Sequence, residues 1–257
     1  MKNNMIFHIP HNSTFIPPEI RNQFVLSDNK LAEELLLMTD HLTSDLFKPA
    51  ITNLDVAIVF PVSRLVVDPE RFLDNDKETM NKVGMGVIYK KTSSGINLRR
   101  SISNKEREDL INKYYEPHHY ELNYQTEEQL KKYIRQVQII DCHSFPSVPL
   151  RYEFNQEEKR PDICIGINSP EKEYLLLKQI VNFIDDEGYS YDINFPFSGS
   201  ILPNKFFDDS RVNSIMIEVN RKLYMNEISG KRLPTFKRTS ELIKGIVKKI
   251  RNLNKFI

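Results

Sequence analysis

The stretch Val137-Gln138-Ile139-Ile140-Asp141-Cys142-His143-Ser144-Phe145-Pro146-Ser147 is a short, β-branched apolar run that stops at polar residues and a proline. Its composition suits a buried strand, and a proline cannot donate to a strand ladder, so the chain must leave the sheet near Pro146. Asp141, His143 and Ser144 are therefore expected at the carboxyl end of a strand. That is where open α/β sheets bind ligands. The plain alternative is a histidine hydrogen-bonded at the rim of the core, and other stretches of the chain weigh against it.

At 257 residues the chain is long enough to bury a substantial core, and we read residues 1–257 as a single domain. Lys and Arg number 36 against 35 Asp and Glu, so the net charge of +1 supplies no global field for nucleic acid or an anionic membrane. Any charged partner must be met by local charges. Cys142 and Cys164 both lie in apolar runs, as buried thiols of a reducing compartment would. No segment approaches the ~20 apolar residues of a membrane span, and the first residues lack an apolar targeting core. A cytoplasmic protein is the expectation.

Met5 to His11 reads as a first strand broken by Pro10, which puts His11 just beyond a strand end. From Asn29 to Lys48, Leu31, Leu35, Met38, Leu42 and Phe47 recur at near-helical spacing until Pro49. Asp40 either marks a break in that helix and points into a site, or joins Thr39 in capping a second helix. Ala57 to Val67 reads as a strand with charges at its end, where Arg64 and Arg71 either fork onto a carboxylate or pair structurally with Asp68. A short strand is expected at Val87-Ile88-Tyr89, then a turn at Thr92-Ser93-Ser94-Gly95. Ser103 with Glu106 opens a helical pattern to Tyr133, interrupted at Pro117, where His118 and His119 read as an exposed helix pair in preference to functional residues. Asp162–Ile167 is a further buried strand, and a helix from Glu171 to Glu187 ends at Gly188. Tyr191 to Ser200 is a strand entering a glycine loop, Ser214–Asn220 the last strand, and Thr239–Leu253 the last helix. The alternation predicts a three-layer α/β sandwich, with a mixed, mostly parallel central sheet flanked by helices.

Glu218 falls inside Ile215-Met216-Ile217-Glu218-Val219, a costly position for a charge unless it is paired or working. It is either held by Arg221 or raised in pKa toward a general base. His11, Asp40 and His143 as donors, with a nearby glutamate, fit a catalytic zinc shell with an open position. No compact His-Glu-x-x-His motif supports it.

The series Ile9-Pro10-His11-Asn12-Ser13, Thr39-Asp40-His41-Leu42-Thr43-Ser44-Asp45-Leu46, Ser63 to Arg71, Asp141-Cys142-His143-Ser144, Pro161-Asp162-Ile163, Phe195-Pro196-Phe197-Ser198-Gly199 and Ile217 to Met225 resembles the N-formylglutamate amidohydrolase family. The resemblance implies a fold like that of the zinc carboxypeptidases and aspartoacylases, one Zn²⁺ held by His11, Asp40 and His143, and Glu218 as base. It also implies Arg64 at the oxyanion, and Arg71, Arg221, Ser144, Asn194, Ser198 and Gly199 around a small-molecule substrate. Asp141 would orient His143. The reaction implied is hydrolysis of N-formyl-L-glutamate to L-glutamate and formate. Alternatives are an amidase acting on another N-acyl amino acid or a peptide stem, and a non-catalytic binding member. A Cys142-based hydrolase is disfavoured, because in a strand its side chain points away from Asp141 and His143. The family has Asp-Leu-Asn-Arg where this chain has Asp68-Pro69-Glu70-Arg71, and a second glycine where Ser200 follows Gly199. Both departures fall in loops expected to face the substrate, so they bear on its identity more than on hydrolysis.

Overall fold

A computed structural model describes residues 4–133, 136–169 and 174–253. Six strands form one sheet: β1 (Met5–Ile9), β2 (Val56–Val59), β3 (Val137–Phe145), β4 (Ile163–Ile167), β5 (Tyr191–Ile193) and β6 (Val212–Asn220). Their order is β2-β1-β3-β6-β4-β5. β2, β1, β3 and β6 run parallel, β4 is antiparallel to β6, and β5 is parallel to β4. The mixed, mostly parallel sheet expected from the sequence is the one observed.

Six α-helices accompany it among the described residues: α1 (Asp28–Met38), α2 (Thr43–Phe47), α3 (Asn104–Leu110), α4 (Glu116–Tyr133), α5 (Tyr174–Asp186) and α6 (Phe236–Leu253). Because strand side chains alternate, each strand feeds two layers. Phe7, Ile140, Cys142, Ile215 and Ile217 pack with Leu46 and Phe47 of α2, Ile180 of α5 and Ile246 of α6. Ile6, Ile58, Val137 and Ile139 pack on the other face with Leu122 and Leu130 of α4. A further apolar cluster joins Leu31 and Met38 of α1 to Phe60, Leu65, Val67, Tyr89 and Leu110. This cluster explains two corrections. β2 ends at Val59, and neither Val62–Val67 nor Val87–Tyr89 is a strand; their apolar side chains fill the extra cluster from loops.

Pro117 does not interrupt the helical stretch. The chain takes one π-helical segment at Ile111–Tyr115, whose wider bonding accommodates the proline that follows, and continues as α4. His118 and His119 are consequently turned inward, not exposed as the sequence suggested. The helix expected from Glu171 is seen from Tyr174; Glu171 to Glu173 lie outside the described residues. Among the described residues no helix is long and apolar enough to cross a membrane.

Asp55, just before β2, clamps the sheet to α6. Its carboxylate accepts from Met5 N (2.9 Å), Thr52 N (2.7 Å) and Arg251 Nη1 (2.8 Å). Burial opposes its ionisation, yet Arg251 and the backbone donors hold its pKa below the ordinary value. A carboxyl depressed in this way adds stability above its unfolded pKa of ~3.9 and loses it as the pH falls through the lower folded value. Asp55→Asn should cost about 2–3 kcal/mol at pH 7. The gap between denaturant melts of the two proteins should begin to narrow below pH ~4 and close only once the pH has fallen through the lowered folded value.

Candidate metal centre and cavity

The parallel strands bring their carboxyl ends to one edge, and on the α4-facing side each changes from apolar to polar there. In β1, Ile6 gives way to His8; in β3, Val137 and Ile139 give way to Asp141 and His143; in β6, Met216 gives way to Glu218. The register sets His8 beside Asp141 and His143 beside Glu218. His11 follows β1 after Pro10. Asp40 arrives from the break between α1 and α2, where Leu42 adopts φ +66°. Asp40 N donates to His11 O at 2.9 Å, so the two segments are tied together before any side chain meets. Asp40 therefore marks a helix break and does not cap α2 with its side chain.

His11, Asp40 and His143 converge, with ligand atoms within 4.8 Å of one another and all three residues buried. His143 Nδ1 lies 3.1 Å and His11 Nδ1 3.8 Å from Asp40 Oδ2. The far nitrogens are held by carboxylates: His11 Nε2 donates to Asp68 Oδ1 at 2.9 Å, and His143 Nε2 to Asp141 Oδ1 at 3.0 Å. That leaves His11 Nδ1 buried with no hydrogen-bond partner, 3.8 Å from Asp40 Oδ2 and 3.7 Å from Glu70 Oε2. Burial opposes charge on His143, but Glu70, Asp141 and Asp40 hold its pKa well above the ordinary imidazole value. Burial likewise opposes ionisation of Asp40, which His11 and His143 hold well below the carboxylate range. Carboxylates thus favour positive charge at this spot, and an orphaned imidazole nitrogen lies beside it. Two imidazoles and a carboxylate with carboxylate-held far nitrogens fit a divalent ion such as Zn²⁺.

Glu218 is buried beside this cluster, and its Oε2 has no hydrogen-bond partner. Burial first, then the charges of Asp40 and Glu70, push its pKa up to about 8 against the pull of His143 and Arg221. A carboxyl titrating near neutrality can both take and return a proton.

Other expected residues fall differently. Arg64 lines the cavity, but its donors go to Asp68 Oδ2 (2.8 Å) and the Tyr89 hydroxyl (3.0 Å), the structural pairing that the sequence left open. Arg221 donates to Asp40 Oδ1 (3.0 Å), Leu37 O (2.6 Å), Ser144 O (3.3 Å) and Ser144 Oγ (3.4 Å), so it orients Asp40. Asn194 does not line the cavity: at φ +55° its Oδ1 accepts from Ile167 N and Gly199 N, pinning the loop to β4. Ser144, Ser198 and Gly199 do line it, as does Arg71. Gly166 on β4 lets that loop approach, since a Cβ there would meet Gly199 O at 2.2 Å. Cys142 faces the apolar layer, and burial raises its thiol pKa well above the ordinary value, so it offers no thiolate.

Sequence reading assigned His8 no role, noted Glu70 only as a departure from the family pattern, and set His118 aside as exposed. His8 Nδ1 donates to Asp141 Oδ1 at 2.8 Å, and its Nε2 meets His118 Nε2 at 2.8 Å, extending a buried chain from His143 to α4. Burial and the neighbouring histidines push His118 down to about 2. Glu70 stands between both candidate ligand histidines, with Oε1 3.3 Å from His143 Nε2 and Oε2 3.7 Å from His11 Nδ1. His8, Glu70 and Asp141 make a second group of converging donors. The signal was present at His8, which shares a strand with the approach to His11, but its partner lies on a helix whose facing could not be read through Pro117.

The sequence model described as N-formylglutamate amidohydrolase matches residues 3–225. The crystal structure of N-formylglutamate amidohydrolase from Ralstonia eutropha JMP134 is similar, with a TM-score of 0.84 and 20% identity over 100% of this chain and 96% of that one. The gene product Atu2144 of Agrobacterium tumefaciens is similar with a TM-score of 0.68 and 17% identity, covering 97% of this chain and 92% of that one. At these identities the likeness is one of fold. No curated protein sequence matches the chain.

Proposed function

The chain belongs to the N-formylglutamate amidohydrolase family, and from that premise we propose that it is a metal-dependent hydrolase of the linear amide bond in an N-acyl amino acid. The observation that carries this reading is the buried, partnerless His11 Nδ1 facing Asp40 and His143, with Glu218 beside them. His11, Asp40 and His143 would hold the ion. Bound there, a Zn²⁺ supplies a Lewis acid for the amide carbonyl and brings the pKa of a water toward ~7.

This chain's residues do the rest. Glu218 takes the proton of the attacking water and, once protonated, returns it to the departing amine. Asp68 and Asp141 fix the orientation of His11 and His143 through their far nitrogens. Arg221 holds Asp40 in place from the opposite oxygen. Arg71, on the cavity wall, receives the substrate carboxylate.

The test is metal analysis of the purified protein together with formate release from N-formyl amino acids, N-formyl-L-glutamate first, before and after chelation. About one zinc per chain and chelator-sensitive release from any member of the panel support the reading. Metal with no release from the whole panel removes formyl hydrolysis, and neither metal nor release favours a non-catalytic binding protein.

A further inference from the structure

We propose that this cavity takes an N-acyl amino acid with a bulky apolar side chain and a single carboxylate, in preference to the doubly charged N-formyl-L-glutamate. The proposal rests on the amidohydrolase reading above and narrows its substrate.

Size is the first argument. The cavity beside the His11–Asp40–His143 cluster measures about 910 Å³. Sites of ~300–1,000 Å³ enclose drug-sized ligands. A formylated short-chain diacid would leave much of this one filled with water.

The rim is the second. Phe72, Phe154 and Phe207 line the cavity, and they are 62%, 68% and 69% exposed. They come from separate segments, one beyond the Asp68 turn, one in the 150–155 loop and one after the turn at Asn204–Phe206. Large aromatic side chains left in water on independent segments around one mouth mark a surface that an apolar ligand covers. Leu73, Met80, Leu150 and Leu202 continue the apolar wall inward.

Charge is the third. A glutamate derivative brings two carboxylates, and each needs a cationic partner if it is to leave water. Arg64 turns its Nε and Nη2 to Asp68 and Tyr89, with Asp68 as its counter-charge, and Arg221 is held by Asp40, Leu37 and Ser144. Lys77 stands at the rim, 76% exposed and 3.9 Å from Asp74. Arg71 is the remaining lysine or arginine on the described wall. Its Nε is buried without a hydrogen-bond partner, and the nearest carboxylate oxygen, Asp68 Oδ2, is 3.9 Å away. One carboxylate therefore finds a guanidinium. A second would face Glu70, Asp74 and Glu116, which also line the cavity, and repulsion of this kind excludes a wrong ligand as effectively as contacts select the right one.

Binding can be measured apart from turnover. Zinc-loaded Glu218→Gln protein is titrated calorimetrically with N-formyl-L-phenylalanine, its carboxamide and N-formyl-L-glutamate. Binding of the phenylalanine derivative roughly tenfold or more tighter than the glutamate derivative is the expected result. Phe72→Ala or Phe207→Ala, built into the same protein, should narrow that gap. Equal affinity, preference for the glutamate derivative, or binding of neither overturns the proposal. A carboxamide that binds as well as the acid overturns the Arg71 contact. Formate release by the unsubstituted enzyme reports on hydrolysis separately: tight binding of the phenylalanine derivative without its turnover would remove formyl hydrolysis and leave the ligand class standing.

Discussion

Glu218→Gln should lower kcat by about 10²–10⁴-fold, the range that a positioned acid–base group supplies, while zinc stays bound. Glutamine keeps the shape of the side chain and loses its ability to accept and return a proton. None of the atoms that converge on the candidate metal position belongs to Glu218: the ligand atoms come from His11, Asp40 and His143, and their orienting partners are Asp68, Asp141 and Arg221. Metal content and kcat are therefore separable in this variant. Stability should change little, because Glu218 Oε2 has no protein partner to lose. Zinc titration beside steady-state kinetics checks the result. Retained turnover would take Glu218 out of the base role, and lost zinc would make it part of the metal shell.

What the sequence made legible followed from local chemistry that one strand carries by itself. His143, at the end of a β-branched run, and Glu218, inside another, were placed because alternation and a terminating proline define where a strand ends and which way its residues face. Their mutual proximity needed the neighbour relation of β3 and β6, and no single strand encodes that. Asp40 stayed ambiguous because α1 ends at an extended Thr39 and α2 begins after a left-handed Leu42, rare for a branched side chain, with no glycine or proline to announce the break. His118 was misread for the opposite reason: Pro117 announces a break, but a π-helical segment before it absorbs the misfit and turns the helix face inward. Val62–Val67 and Val87–Tyr89 have strand-like composition because they are buried, and burial in an apolar loop cluster leaves the same pattern as burial in a sheet. Arg64 and Arg221 were expected to meet substrate, and instead their partners are Asp68, Tyr89 and Asp40; a guanidinium aimed at substrate and one holding a carboxylate in place are the same letters in the sequence.

Asp68→Asn should weaken zinc binding by about 10–100-fold, the usual consequence of removing the group that orients a metal-bound histidine, and should cost about 3–5 kcal/mol of stability. Asp68 is fully buried. Its Oδ1 accepts from His11 Nε2 (2.9 Å) and Glu70 N (3.0 Å), and its Oδ2 from Arg64 Nη2 (2.8 Å) and the Tyr89 hydroxyl (2.5 Å). Every neighbour is a donor, so whichever way the asparagine amide turns, its NH₂ faces donors and one set of bonds is lost. If the amide faces Arg64, a guanidinium is left in the interior without its counter-charge, which is the larger penalty. If it faces His11, the ring loses the acceptor that fixes its Nε2–H tautomer, and Nδ1 is no longer reliably the bare nitrogen. Both effects come from one carboxylate that joins the metal position to the cavity wall. Arg64→Gln separates them, because it removes the stranded charge and leaves the His11 contact: stability should still fall, while zinc affinity holds. Affinity measured well below the melting temperature keeps the two quantities apart. Zinc affinity unchanged in Asp68→Asn would mean that His11 is oriented by its backbone tie to Asp40 alone.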